Sequence, residues 1–135
     1  MIKVVLDTNV LVSALLNPQG PSGQILDLIL SGEVYICLDE RIRYEYRDVL
    51  TRAKFGFDAA DIDDIFAFLE DDCLNVAAKP LALKFTDPAD EKFLEVAVAA
   101  KAKYLITGNL KHYPHYLKTI SIIPPAKFIS EYKSL

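Results

Sequence analysis

Carboxylate, hydroxyl and amide side chains recur at four points of the chain where apolar segments meet polar ones. The residues that could do chemistry there are Asp7, Thr8, Asn9, Glu45, Asp90, Thr107 and Asn109. Each point has a structural alternative, because Asp, Thr and Asn also cap helices and form turns. Function is therefore predicted from the combination of these residues and not from any one of them.

Glu45 lies in a predicted amphipathic helix, because apolar residues recur three and four apart from Ile42 to Leu50. The glutamate falls on this inward stripe. An inward carboxylate without a partner is costly, so it needs a cation or a chemical function. Pairing with Arg41 or Arg52 at the edge of the stripe is the structural alternative.

Asp90 stands at the start of another predicted helix, whose first position suits Pro88 and whose natural N-cap is Asp87. It lies one turn ahead of the apolar residues of that helix, so its carboxylate is expected to point inward. The alternative is that Asp90 caps the helix from its third position, and this capping is compatible with a second, chemical role. Glu91 and Glu95 are expected on the solvent side.

Three inward carboxylates are expected to meet in one crevice, since open α/β sheets place their functional residues beyond the carboxyl ends of the strands. Close carboxylates raise each other's pKa unless a cation joins them. Oxygen ligands suit Mg²⁺ or Mn²⁺, and these ions recruit phosphate oxygens, which indicates phosphodiester or phosphoryl chemistry.

His112 and His115 suggest zinc, but no cysteine or third ligand lies near them in the sequence.

The elements that must position these residues alternate between short apolar runs and longer helical patterns, which predicts a parallel sheet covered by helices. Predicted strands span 2–6, 34–38, 104–106 and 119–123, with a weaker fifth at 74–76. Predicted helices span 9–16, 22–31, 40–53, 59–71, 88–101 and 125–133. The sequence thus predicts one three-layer α/β domain over residues 1–135, with a mostly parallel sheet of four or five strands and helices on both faces.

Composition limits the classes of partner. The chain has 135 residues, 52% of them hydrophobic, and a net charge of −4, so nucleic acid cannot be held by bulk positive charge. One basic stretch could contact RNA or be ordinary surface, and it contains Arg41, Arg43, Arg47, Arg52 and Lys54. Two separated cysteines indicate free thiols in a reducing compartment. The first apolar run ends at Asp7, and this run is too short for a membrane span. A cytoplasmic protein is therefore expected.

The chain resembles PIN-domain ribonucleases, specifically the small single-domain VapC-like toxins of toxin–antitoxin pairs. Four segments carry the resemblance, in this order: residues 4–14, Glu45 with its helix, residues 87–97 and residues 105–113. The resemblance as a whole covers nearly the whole chain. One departure is visible, because this chain has Asn109 where the family often has a fourth acid.

The resemblance implies metal-dependent cleavage of RNA, a homodimer and a cognate antitoxin. Asp7 and Asp90 would hold Mg²⁺ or Mn²⁺, and Glu45 would activate water or hold a second ion. Asn109 is a further candidate ligand, and the residues that would orient the acids or contact substrate are Thr8, Asn9, Thr107 and Lys111. A non-catalytic PIN-like scaffold that binds RNA or protein is the alternative. A small phosphatase fits less well, since Asp7 is not followed by an acid two residues later.

Overall fold

The computed structural model describes residues 1–81, 88–114 and 119–135. Its centre is one five-stranded sheet in the order β3-β2-β1-β4-β5. The strands are β1 (Lys3–Leu6), β2 (Tyr35–Leu38), β3 (Leu74–Asn75), β4 (Tyr104–Ile106) and β5 (Ser121–Ile123). The predicted sheet is confirmed, including the weak fifth strand, and its four pairings are all parallel.

Strand β1 lies in the middle of the sheet. Val4 is in register with Ile36 of β2 on one side and with Tyr104 of β4 on the other. Val4 and Val5 are fully buried, as expected for a short apolar strand covered on both faces. The residue that follows this strand therefore starts at the centre of the molecule.

In the described part of the chain, six α-helices surround the sheet. They are α1 (Thr8–Leu16), α2 (Pro21–Leu30), α3 (Glu40–Leu50), α4 (Ala59–Asp72), α5 (Glu91–Ala100) and α6 (Pro125–Lys133). Local sequence explains their starts: Asp39 accepts a hydrogen bond from the Ile42 amide at the start of α3, and prolines open α2 and α6. Asp87 and His115, named above, lie outside the described residues.

Two helix boundaries differ from the prediction by more than one residue. Helix α3 ends at Leu50 and not at residue 53, and the turn before α5, Pro88–Asp90, is a 3-10 helix. Helix α5 ends where Lys101 adopts a left-handed conformation, with a φ of 55°.

Helices cover both faces because the direction of travel across the sheet reverses. The chain moves from β1 to β2 in one direction and from β3 to β4 in the other, and right-handed crossovers then lie on opposite faces. Helix α5 packs against β1, β2 and β4, whereas α1 and α2 pack on each other and α6 packs on α2. No helix within the described ranges is long and apolar enough to cross a membrane.

Helices α3 and α5 are joined by charged as well as apolar contacts. Arg41 of α3 lies 2.7 Å from Glu95 of α5 and also pairs with Asp39. Glu95 is only 5% exposed, so the expectation that it faces solvent is wrong. The tertiary packing of α3 against α5 supplies a cation that makes the inward position acceptable.

Both cysteines are free thiols, as predicted. Cys37 is buried in β2 and Cys73 is half-buried at the end of α4. Burial raises the pKa of Cys37 to about 11, so this group stays protonated at neutral pH.

Tyr46→Phe tests how β1 is held. The Tyr46 hydroxyl is buried and donates a 2.5 Å hydrogen bond to the Leu6 carbonyl, next to Asp7. Losing this bond leaves a buried acceptor with one partner fewer, so we expect the free energy of unfolding in urea to fall by about 1–2 kcal/mol. Tyr44→Phe is the matched control on the same helix, since Tyr44 is exposed, and it should change nothing. Equal effects of the two substitutions would contradict this account.

Candidate functional site

The candidate site lies at the carboxyl ends of β1 and β4, where the strand order reverses. Such reversal points form the ligand crevice of open α/β sheets. Asp7 follows β1 and its amide donates to the Ile106 carbonyl at 3.0 Å, while the amide of Thr107 donates to the Ile123 carbonyl at 3.0 Å. Backbone pairing thus continues just beyond the strands and fixes the backbone at Asp7 and Thr107.

Asp7 carries the most deeply buried carboxylate of the site, at 6% exposure. Its Oδ2 accepts hydrogen bonds from the Thr107 hydroxyl at 2.8 Å and the Tyr113 hydroxyl at 3.1 Å. Among the described residues no basic side chain forms an ion pair with Asp7. Two neutral donors therefore orient the carboxylate, and no described cation compensates its charge.

The Tyr113 hydroxyl is a fixed donor. Burial and the nearby carboxylates of Asp7 and Asp90 raise the pKa of Tyr113, so the hydroxyl keeps its proton at neutral pH. Tyr113 contacts Asp7, and the adjacent residue His112 lies 3.1 Å from Asp90, so this segment lies beside both carboxylates.

Asp90 ends the 3-10 turn before α5 and is 9% exposed, which confirms that it is buried. Its Oδ2 lies 3.1 Å from the Nδ1 atom of His112. The histidine considered above as a zinc ligand is thus a neighbour of a carboxylate.

Glu45 has different partners from those considered above. Its Oε1 lies 2.8 Å from the ammonium of Lys92, and its Oε2 accepts a hydrogen bond from the Thr8 hydroxyl. Pairing of Glu45 with Arg41 or Arg52 is wrong, since those arginines pair with other acids. Thr8 and Lys92 together fix this carboxylate beside the end of β1.

The segment after β4 forms one rim of the site. The Asn109 amide donates to the Thr107 hydroxyl at 3.0 Å, and the Gly108 amide lies 3.4 Å from Asn9 Oδ1. Asn109 and Lys111 are exposed. Thr107 and Asn9 hold this turn against the start of α1, while the roles of Asn109 and Lys111 as ligand and substrate contact stay predictions.

The donor set fits a hard divalent cation in part. Within residues 1–81, 88–114 and 119–135, no group of three or more His, Cys, Asp or Glu side chains is arranged to hold a metal. Asp7 and Asp90 nevertheless supply two buried carboxylates. Mg²⁺ commonly takes one or two protein carboxylates and completes its shell with water and substrate phosphate. The assignment of Asp7, Glu45 and Asp90 to one site remains a prediction.

Sequence reasoning did not assign a role to Tyr113 or Lys92. Lys92 lies four residues before Val96, which is fully buried, and this spacing places both on one helix face. That signal could have identified Lys92 as a partly buried cation. Tyr113 offers no comparable signal, because its contact with Asp7 joins residues 106 positions apart.

Comparison with known proteins gives three findings. The sequence profile of the PIN domain family matches residues 3–111. An uncharacterized protein of Methanocaldococcus jannaschii is 33% identical over 148 aligned residues, covering 98% of this chain and 92% of that protein. The fold is similar to a chain in the crystal structure of VapBC2 from Rickettsia felis bound to a DNA fragment from their promoter. That match has a TM-score of 0.58 and 17% identity, and it covers 90% of this chain and 97% of that one.

Asp7→Asn tests whether the buried charge awaits a cation. The amide oxygen can keep both hydrogen bonds, so removing the charge should raise the melting temperature in EDTA by about 4 °C, equivalent to ~1 kcal/mol. Mn²⁺ should stabilise the wild type and leave the variant unchanged. Scanning fluorimetry measures the melting temperature with and without Mn²⁺. Asp64→Asn is the control, because Asp64 is exposed on the surface of α4. An unchanged melting temperature and an equal response to Mn²⁺ would contradict the assignment.

Proposed function

The chain belongs to the PIN domain family, whose members are typically nucleases, and on this basis we propose that it is a divalent-metal-dependent endoribonuclease. Membership of the family supports nuclease activity in general. The proposal adds three things: the metal requirement, RNA as the substrate and the residues of the site.

One observation carries the proposal: the buried Asp7 carboxylate at the strand-order reversal has two neutral donors and, among the described residues, no basic partner. A buried charge of this kind calls for a cation. Asp90 lies beside His112, the residue before Tyr113, whose hydroxyl contacts Asp7. Two carboxylates suit an ion that keeps open positions for water and phosphate.

In the proposed mechanism Asp7 and Asp90 would hold Mg²⁺ or Mn²⁺, and the Asn109 amide oxygen is a further candidate ligand or would hold a water at the rim. When bound there, such an ion would supply Lewis-acid polarisation of the scissile phosphate. Glu45 positions the attacking water and accepts its proton at a carboxylate oxygen, or it contributes to a second ion. Each Glu45 oxygen retains a lone pair beyond the one engaged by Thr8 or Lys92.

The surrounding residues orient these groups. Thr107 and Tyr113 fix the Asp7 carboxylate from one side, and Thr8 fixes Glu45. Asn9 supports the turn that carries Asn109, and Lys111 stands exposed on the same rim, where it can contact a substrate phosphate. Such supporting contacts set the geometry on which a metal site depends.

Cleavage of labelled RNA tests the proposal. Wild-type protein should cleave in Mg²⁺ or Mn²⁺ and not in EDTA. Asp90→Asn and Glu45→Gln should each reduce the rate at least about 100-fold, because one weakens the ion site and the other removes the base. Asp64→Asn should cleave normally. Wild-type rates in either site variant would contradict the assigned site.

A non-catalytic scaffold is the second candidate function. Two observations favour it: Asn109 supplies no negative charge at the rim, and Glu45 is already neutralised by Lys92. The same assay separates the candidates, since a scaffold would bind RNA without cleaving it in any metal. Turnover of p-nitrophenyl phosphate without RNA cleavage would instead indicate a phosphatase.

We also propose that the protein is the toxin of a type II toxin–antitoxin pair, acts in the cytoplasm and forms a homodimer. The resemblance to VapC-like proteins and the similarity in fold to a chain of a VapBC2 complex support this. Exposed Leu16 and Leu30 offer apolar area for protein contacts. A cognate antitoxin would insert an arginine, whose fork-shaped guanidinium matches the acidic site.

Expression in a host cell tests the pairing. The wild-type chain should inhibit growth, Asp90→Asn should not, and co-expression of the product of an adjacent short gene should restore growth. Sedimentation should show a dimer that forms a larger complex with that product. Changing the inserted arginine of that product to alanine should release RNA cleavage. A monomer at micromolar concentration, together with no inhibition by the neighbouring product, would contradict this proposal.

A further inference from the structure

A shallow groove runs from the candidate site along the exposed side of α3. Six residues line it: Glu40, Arg41, Tyr44, Glu45, Asp48 and Lys92. Glu45 and Lys92 belong to both the site and the groove, so the groove is a direct continuation of the site. A polymer bound across the site would extend into it.

The acids of this groove are all paired. Glu40 pairs with Arg43, Asp48 with Arg52 at 3.1 Å and Glu45 with Lys92 at 2.8 Å. The repulsion that carboxylates would exert on a phosphate backbone is therefore reduced. The groove can accept a polyanion although the protein as a whole is acidic.

Lys92 is placed to donate toward the groove. Its side chain is 14% exposed, and among the described residues its acceptors are Glu45 and the Ala89 carbonyl. An ammonium has three N–H donors, so one remains for an incoming oxygen. The two anchored contacts hold the ammonium in place beside Glu45.

Tyr44 supplies a flat apolar surface in the same groove. It is 75% exposed, which is unusual for a large aromatic side chain, and no described contact covers its ring. Exposed aromatic rings next to cationic donors are the usual platform for single-stranded nucleic acid, because every base can stack on them.

We propose that this groove is a nucleotide subsite for single-stranded RNA, in which Lys92 contacts a phosphate next to the scissile one and Tyr44 stacks on the adjoining base. This inference rests on the proposed function and deepens it. Stacking tolerates any base, so the subsite adds affinity and alignment more than sequence discrimination.

Binding of a fluorescein-labelled single-stranded RNA of mixed sequence tests the subsite. Anisotropy is measured with Ca²⁺ in place of Mg²⁺, since the larger ion has looser geometry, and a gel checks that the RNA stays intact. Tyr44→Ala should weaken binding roughly tenfold, while Tyr44→Phe should bind like the wild type. Lys92→Met should weaken binding and lower the slope of log affinity against log salt by about 0.7.

Lys103→Met is the matched control, because Lys103 is exposed before β4, at the opposite edge of the sheet from the site. If Tyr44→Ala and Lys92→Met both bind RNA as tightly as this control, the subsite is overturned. Loss of affinity in Lys92→Met alone also overturns it, since the proposal needs the ring of Tyr44. Tyr44→Ala touches only an exposed side chain and so separates binding from folding.

The outcomes distinguish this inference from the function on which it rests. The wild-type chain could bind the RNA with the expected dependence on Tyr44 and Lys92 but never cleave it. That result overturns the nuclease proposal and supports the subsite proposal. A wild-type chain that cleaves while both variants bind normally overturns the subsite alone. A wild-type chain that binds no RNA overturns both.

Discussion

The main physical constraint in this structure is the buried carboxylate of Asp7, which must be compensated by hydrogen bonds or by a cation. Three elements converge to hold it and the strand that carries it: Thr107 after β4, Tyr113 after the next turn and Tyr46 from α3, which bonds to the Leu6 carbonyl. A buried carboxylate is costly unless it is fully hydrogen-bonded or paired with a cation. Neutral donors orient this one, and the proposed metal ion would compensate its charge.

The second constraint is the junction of α3 with α5. Two ion pairs cross it, Glu45 with Lys92 and Arg41 with Glu95, both with closest distances below 3 Å. The junction therefore sets the position of Glu45 relative to Asp90, which stands at the start of α5. It also neutralises charge next to the groove, so that an acidic protein can present a surface compatible with a polyanion.

Much of the fold could be predicted because its signals are local. Short apolar runs and helical periodicity depend on neighbouring residues, and all five strands and six helices lie close to their predicted places. The inward position of Asp90 followed from its place one turn ahead of an apolar face, and the position of Asp7 at the end of a strand followed from the apolar run before it. Helix ends were less predictable, since α3 stops at Leu50, three residues before the end that its pattern predicted.

The sequence by itself determined the elements, their order along the chain and which acids are candidates for the site, because side-chain period and capping chemistry act over a few residues. Only the tertiary structure decided the partners of those acids. It gave Glu45 a lysine from α5, turned Glu95 inward toward an arginine 54 positions away and brought Tyr113 to Asp7. The physical reason is that pairing of charges and donors depends on distance in space, which helix packing sets and which spacing along the chain does not record.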